Sequence, residues 1–167
     1  FLRKILQFFR TFLKNYYFEQ TKDIDIGKFD FRFEFLGKYN GNGFAIHTTS
    51  PQEICIFNAI IAGSEIANIR LKNCLLTRIA KSSTFKNIHS DTLIFKSIEG
   101  CKVSNCSSEK SLIEEATKAH ISYCEANLHI IESHAENIIL EKSISKSSLF
   151  DCKIKNSTCV IFNGCKI

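Results

Sequence analysis

The sequence contains no methionine and a single proline, and its seven glycines are too scattered to mark a series of glycine-rich hairpins. With Phe1 at its head and no methionine anywhere, the chain is expected to be a processed or truncated form. No secretory signal is expected. The eight cysteines therefore read as reduced, mostly buried thiols behaving as small apolar residues, not as a disulfide framework. A large excess of either charge is lacking, with 22 Lys and Arg against 17 Asp and Glu. Of the net +5, Arg3, Lys4, Arg10 and Lys14 against Glu19 supply +3, and the near-neutral body has no basic stripe, which excludes a nucleic-acid surface. No glycine-rich phosphate loop is present, because "GNG" at 41–43 lacks the following Lys-Ser/Thr. No Ser-His-acid arrangement emerges from spacing.

At 167 residues the chain can bury one core and carry an appended helix. Residues 1–17, "FLRKILQFFRTFLKNYY", set Phe8, Phe9, Phe12, Leu13 and Tyr16 at helical spacing opposite Arg3, Lys4, Arg10 and Lys14. The reading is an amphipathic helix over 1–20. It is shorter than the roughly 20 apolar residues of a membrane span, so it is expected to pack on its own domain, to dock on partner helices or to lie in a membrane interface. Tyr16, Tyr17 and Phe18 complete the expected docking set, since a tyrosine ring with a polar tip suits a boundary.

Residues 21–43 read as a strand-rich linker. "DIDIGKFDFRFEFLGK" (23–38) alternates apolar and polar residues with a break at Gly27, and "YNGNG" (39–43) is turn material in which Gly41 and Gly43 can take positive φ. From residue 44 to 167 short strands follow one another, and the triplet Cys-Lys-Val/Ile returns in "EGCKVSN", "FDCKIKN" and "NGCKI". "EKSLIEEATKAH" (109–120) reads as a short helix or loop between coils. Repetition of this kind predicts an all-β solenoid, a parallel β-helix, with an antiparallel sandwich as the alternative. Cys101 with Cys106, or Cys159 with Cys165, lack the short spacing of a zinc knuckle and read as buried thiols.

In its order of segments the chain resembles the γ-type carbonic anhydrase-like subunits of mitochondrial respiratory complex I. The tyrosine-rich end of the first helix, "IFNAIIAGSEIANIRL" (56–71), "LTRIAKSS" (76–83) and "IEGCKV" (98–103) are similar to successive segments of that family, over residues 10–105. The resemblance implies a left-handed β-helix, a hetero-trimer with two related subunits, attachment to membrane-arm subunits, and a place on the matrix side of the inner membrane. It also implies that the zinc site is degenerate. The three ligand positions fall on Arg78 (Thr84 if a rung is displaced), Ile94 and Glu99, and the family's Arg-Gly-Asp triplet is replaced by Ala62, Gly63 and Ser64. A guanidinium and an alkyl chain offer no lone pair to zinc.

The expected function is thus a non-catalytic structural subunit of the respiratory chain, with no cofactor of its own. Two alternatives stay open. One is a zinc carbonic anhydrase with altered ligands drawn from His89, His120, His129 and His134, or a zinc site shared with a neighbouring subunit to which Glu99 or His89 contributes. The other is a pentapeptide-repeat-like binding module, suggested by the five-residue rhythm of Ser147, Cys152 and Ser157 with Leu149, Ile154 and Cys159.

Overall fold

The computed structural model describes residues 16–28 and 34–131 in full and the strands between 132 and 163 by their backbone. The expected docking residues Arg3, Lys4, Phe8, Phe9, Arg10, Phe12, Leu13 and Lys14 lie outside the described residues. The chain opens with β1 (Tyr17–Glu19), β2 (Ile24–Asp25), β3 (Glu34–Phe35), β4 (Lys38–Asn40) and β5 (Ala45–His47). Longer strands follow: β6 (Cys55–Ile60), β7 (Glu65–Lys72), β8 (Leu75–Lys81), β9 (Thr84–Ser90) and β10 (Phe95–Glu99). Next come β11 (Lys102–Ser104), β12 (Ser107–Ser108), β13 (Ile113–Thr117), β14 (His120–Ser122), β15 (Glu125–Ala126) and β16 (Ile131–Glu136). The last are β17 (Ile138–Glu141), β18 (Ile144–Ser145), β19 (Ser148–Phe150), β20 (Cys152–Lys155) and β21 (Ile161–Asn163).

The strands pair in parallel, each with its counterpart one coil later, so the protein is an all-β parallel solenoid. The largest sheet runs β1-β4-β7-β9-β11-β14-β17-β20, with β2, β5, β12, β15 and β18 joined to it, and a six-stranded sheet runs β16-β13-β10-β8-β6-β3. Parallel pairing removes the antiparallel sandwich. Between residues 65 and 131 partners are 18 or 19 positions apart: Glu65 faces Thr84, Thr84 faces Lys102, and Lys102 faces His120. A pentapeptide module needs a coil that is a multiple of five for equivalent positions to stack, and these coils are not. The side chains of its rhythm, 147–159, lie outside the described residues.

Stacking in register builds the core. Ile66, Phe85, Val103 and Ile121 follow one another at one position of successive coils, each no more than 1% exposed. Phe95 sits across the core from them, its ring 4.6 Å from that of Phe85 at 57°. Burying each such side chain contributes about 1.5–3 kcal/mol. Cys55, Cys74, Cys101, Cys106 and Cys124 are buried thiols, as their composition and context suggest. Burial pushes the Cys74 thiol up to about 12 and holds Cys106 well above the usual range. The triplets at 101–103 and 152–154 occupy one column, because Lys102 faces His120, His120 faces Ile139 and Ile139 faces Lys153.

Three local expectations are corrected. Tyr17–Glu19 is a strand, so a helix over 1–20 cannot reach Tyr17; its three residues pair with Lys38–Asn40, and only Phe18 turns inward. Phe18 packs on Phe35 at a ring distance of 6.0 Å and lies partly buried against the core, whereas Tyr16 and Tyr17 are exposed. Within 21–43, β2 pairs with β5, β3 with β6 and β4 with β7, so the described strands of this stretch belong to the first coils of the solenoid and not to a linker. Finally, 109–120 holds β13 and the start of β14 and no helix. Its buried residues Ile113 and Ala116 lie three apart, which imitates helical spacing; the same interval separates Phe95 from Ile98 one coil earlier. The expected break at Gly27 is present as a turn with φ +56°.

Candidate functional site: an asparagine ladder and its groove

Each central coil turns a corner on a residue with positive φ. Asn68 (58°), Asn87 (53°), Asn105 (51°) and Tyr123 (54°) form one such column, and Gly63, Ser82, Gly100 and Lys118 form another. Asparagine tolerates this conformation better than most residues because its short amide can bond locally. At the first corner the amides also bond one another along the solenoid axis. Asn87 Nδ2 donates to Asn68 Oδ1 at 2.8 Å, and Asn68 Nδ2 donates to Asn40 Oδ1 at 2.9 Å. Asn40 Nδ2 donates to the Tyr17 hydroxyl at 3.1 Å, which donates to Glu19 Oε1 at 2.9 Å. Every donor points toward the first coil, so the ladder is a polarised chain ending on a carboxylate, the arrangement in which successive bonds strengthen one another.

Beside the ladder lies a surface groove of about 370 Å³ lined by Asn42, Gly43, Asn68, Ile69, Arg70, Asn87 and His89. Ile69, 1% exposed, forms its floor. Arg70 is tethered by Nε, which donates to the Gly43 carbonyl at 2.7 Å, and is the register neighbour of His89. His89 Nδ1 lies 2.6 Å from Ser107 Oγ. No carboxylate lines the groove. The sequence pattern that marks this site is the recurrence of "ANIRL" (67–71), "KNIHS" (86–90) and "SNCSS" (104–108), which spacing-based motif reading passed over.

The positions named for zinc do not converge. Arg78 is half-buried on β8 in the six-stranded sheet, Ile94 is fully buried in the core just before β10, and Glu99 is exposed and pairs with Lys81 at 3.2 Å. Thr84 sits between Glu65 and Lys102 in the large sheet. The histidines are spread likewise. His89 and His120 are on the large sheet, His129 lies in the turn before β16, and His134 is on β16 as the register neighbour of Glu115. Among the described residues, no three His, Cys, Asp or Glu side chains come together as a metal-binding group. Ser64 is buried, its hydroxyl donating to the Ile61 carbonyl at 2.7 Å, and Gly63 makes the β6–β7 turn at φ +89°. The replaced triplet thus closes a turn.

Asn68→Ala is expected to lower unfolding free energy in urea by about 2 kcal/mol, from a left-handed backbone penalty of roughly 1–2 kcal/mol and the broken ladder. Asn68→Gly keeps the backbone freedom and is expected to lose roughly 1 kcal/mol. Equal losses in the two variants would show that backbone conformation is not what Asn68 contributes.

Fold and site together define a parallel β-solenoid carrying an outward asparagine ladder. Comparison with known protein families, with curated proteins and with solved structures finds no match to the chain.

Proposed function

We propose that the chain is a non-catalytic structural solenoid whose lateral faces, not an enclosed reaction centre, do its work. The observation that supports this reading best is the environment of the three resemblance-derived ligand positions: a guanidinium on one sheet, an alkyl chain in the core, and a carboxylate engaged by Lys81. Zinc catalysis needs several lone-pair donors around an open coordination position. The finer form of the proposal is assembly with two related γ-carbonic anhydrase-like subunits on the membrane arm of mitochondrial complex I, at the matrix face of the inner membrane. The order of the similar segments over residues 10–105 supports that form. Residues 1–15 would fasten the chain, with the exposed Tyr16 and Tyr17 beside them.

The test measures zinc content and CO₂ hydration on the purified chain, and the migration of the chain on native gels of the membranes that hold it. The expected result is a metal-free, inactive chain that migrates with a large membrane complex. Replacing Phe9 and Phe12 with Asp is expected to release it while the solenoid stays folded. Stoichiometric zinc with hydration activity in the isolated chain would overturn the non-catalytic reading. Migration as a free monomer from intact membranes would overturn the assembly reading alone.

A further inference from the structure

We propose that the groove beside the asparagine ladder is an oxyanion site, taking the carboxylate or phosphate group of an acidic ligand between Arg70 and His89. Three features of the groove converge on that chemistry. Its lining carries one guanidinium, one imidazole and three asparagine amides and no acid, so an anion entering it meets donors and no like charge. Arg70 is held in place by its Nε bond to the Gly43 carbonyl and makes no ion pair with any described residue, which leaves the guanidinium's terminal N–H groups for a ligand. Such a planar fork matches the oxygens of a carboxylate or phosphate.

His89 supplies the second donor. It stands next to Arg70 in register, one strand spacing of about 4.8 Å away, and its Nδ1 contacts Ser107 Oγ. A Ser107 hydroxyl that donates to Nδ1 leaves the ring proton on Nε2, available to an anion. The ladder supplies the rest. Asn68 and Asn87 each commit one amide N–H to the neighbour toward the first coil and retain the other. Because the ladder fixes both amides and the Nε bond fixes the guanidinium, little side-chain freedom is lost when the ligand binds. The inference is independent of the structural-subunit reading, which uses none of these residues' donor groups.

Titration of the ¹⁵N-labelled full chain with inorganic phosphate, and separately with glucuronate, tests it. Saturable shifts are expected at the Asn68 and Asn87 side-chain amides and at the Arg70 Nε–H. Tighter binding of phosphate would assign a phosphorylated ligand and tighter binding of glucuronate a carboxylated one; either supports the site. Arg70→Gln is expected to weaken binding by about tenfold, with Arg70→Lys intermediate because it keeps the charge and loses the fork. Lys96→Gln, on the other sheet, is expected to leave affinity within about twofold. Absence of a saturable shift with both anions would overturn the proposal, as would unchanged affinity in a folded Arg70→Gln protein.

Discussion

Replacing Phe85 with alanine is expected to lower the unfolding free energy by about 3–5 kcal/mol, because the ring is fully enclosed and its removal leaves a cavity that a stacked solenoid cannot close. Phe85 is held from three directions. Ile66 and Val103 lie above and below it in register, and Phe95 meets it from the opposite sheet at 4.6 Å. Collapse would require neighbouring coils to approach one another, which the inter-strand hydrogen bonds at about 4.8 Å spacing prevent. Because each coil is supported by its neighbours, the damage should also reduce cooperativity, with a lower denaturant slope as well as a lower midpoint. Ile79, 46% exposed on the six-stranded sheet, is the control; Ile79→Ala should stay within about 0.5 kcal/mol of the parent. A Phe85→Ala protein that unfolds at the parent's midpoint would remove Phe85 from the core.

Gly41→Ala is the second large effect, expected at about 3 kcal/mol, or a fall in Tm of roughly 6–12 °C. The cause is space rather than backbone conformation. An added Cβ would lie 2.5 Å from Ile69 Cγ1 and closer still to the carbonyl oxygen of Asn68. Neither can retreat easily: Ile69 is buried, and the Asn68 carbonyl accepts the amide of Gly43 at 2.8 Å. Gly43 makes the informative contrast. Its φ is +78° and nothing lies within 4 Å of an added Cβ, so Gly43→Ala carries only the left-handed penalty of about 1 kcal/mol. Thermal melts that rank Gly43→Ala as the more damaging of the two would show that the first coils do not pack as described. Since Gly41 presses on the corner that carries Asn68, its substitution should also disturb the ladder and the Arg70 groove.

The same turn shows how local chemistry and packing divide the information. "YNGNG" announces a turn by composition, and a turn is there, but of its two glycines only Gly43 uses positive φ. Asn42 takes the other left-handed position, and Gly41 is needed because a neighbouring coil passes too close for any side chain. That neighbour is 27 residues away in the chain, so no reading of the pentapeptide could supply the reason.

By itself the sequence determined the class of fold. Recurring short apolar pairs, few glycines and almost no proline left a solenoid as the arrangement able to bury them, and the thiols read as core residues are core residues wherever their side chains are described. The tertiary structure alone decided where each strand begins and which residues meet outside. In the central coil the buried positions are 77, 80, 83, 85, 88, 90 and 94, and they repeat at 95, 98, 101, 103, 106, 108 and 112. Their intervals mix two, three and four because left-handed corners interrupt the alternation of the strands, so neither the strand period nor the helical one shows locally. Only the coil-to-coil offset of 18 or 19 residues is regular, and it becomes physical when parallel hydrogen bonds lock one coil onto the next. That locking places Asn87 on Asn68 and His89 beside Arg70, and from it the groove acquires its donors.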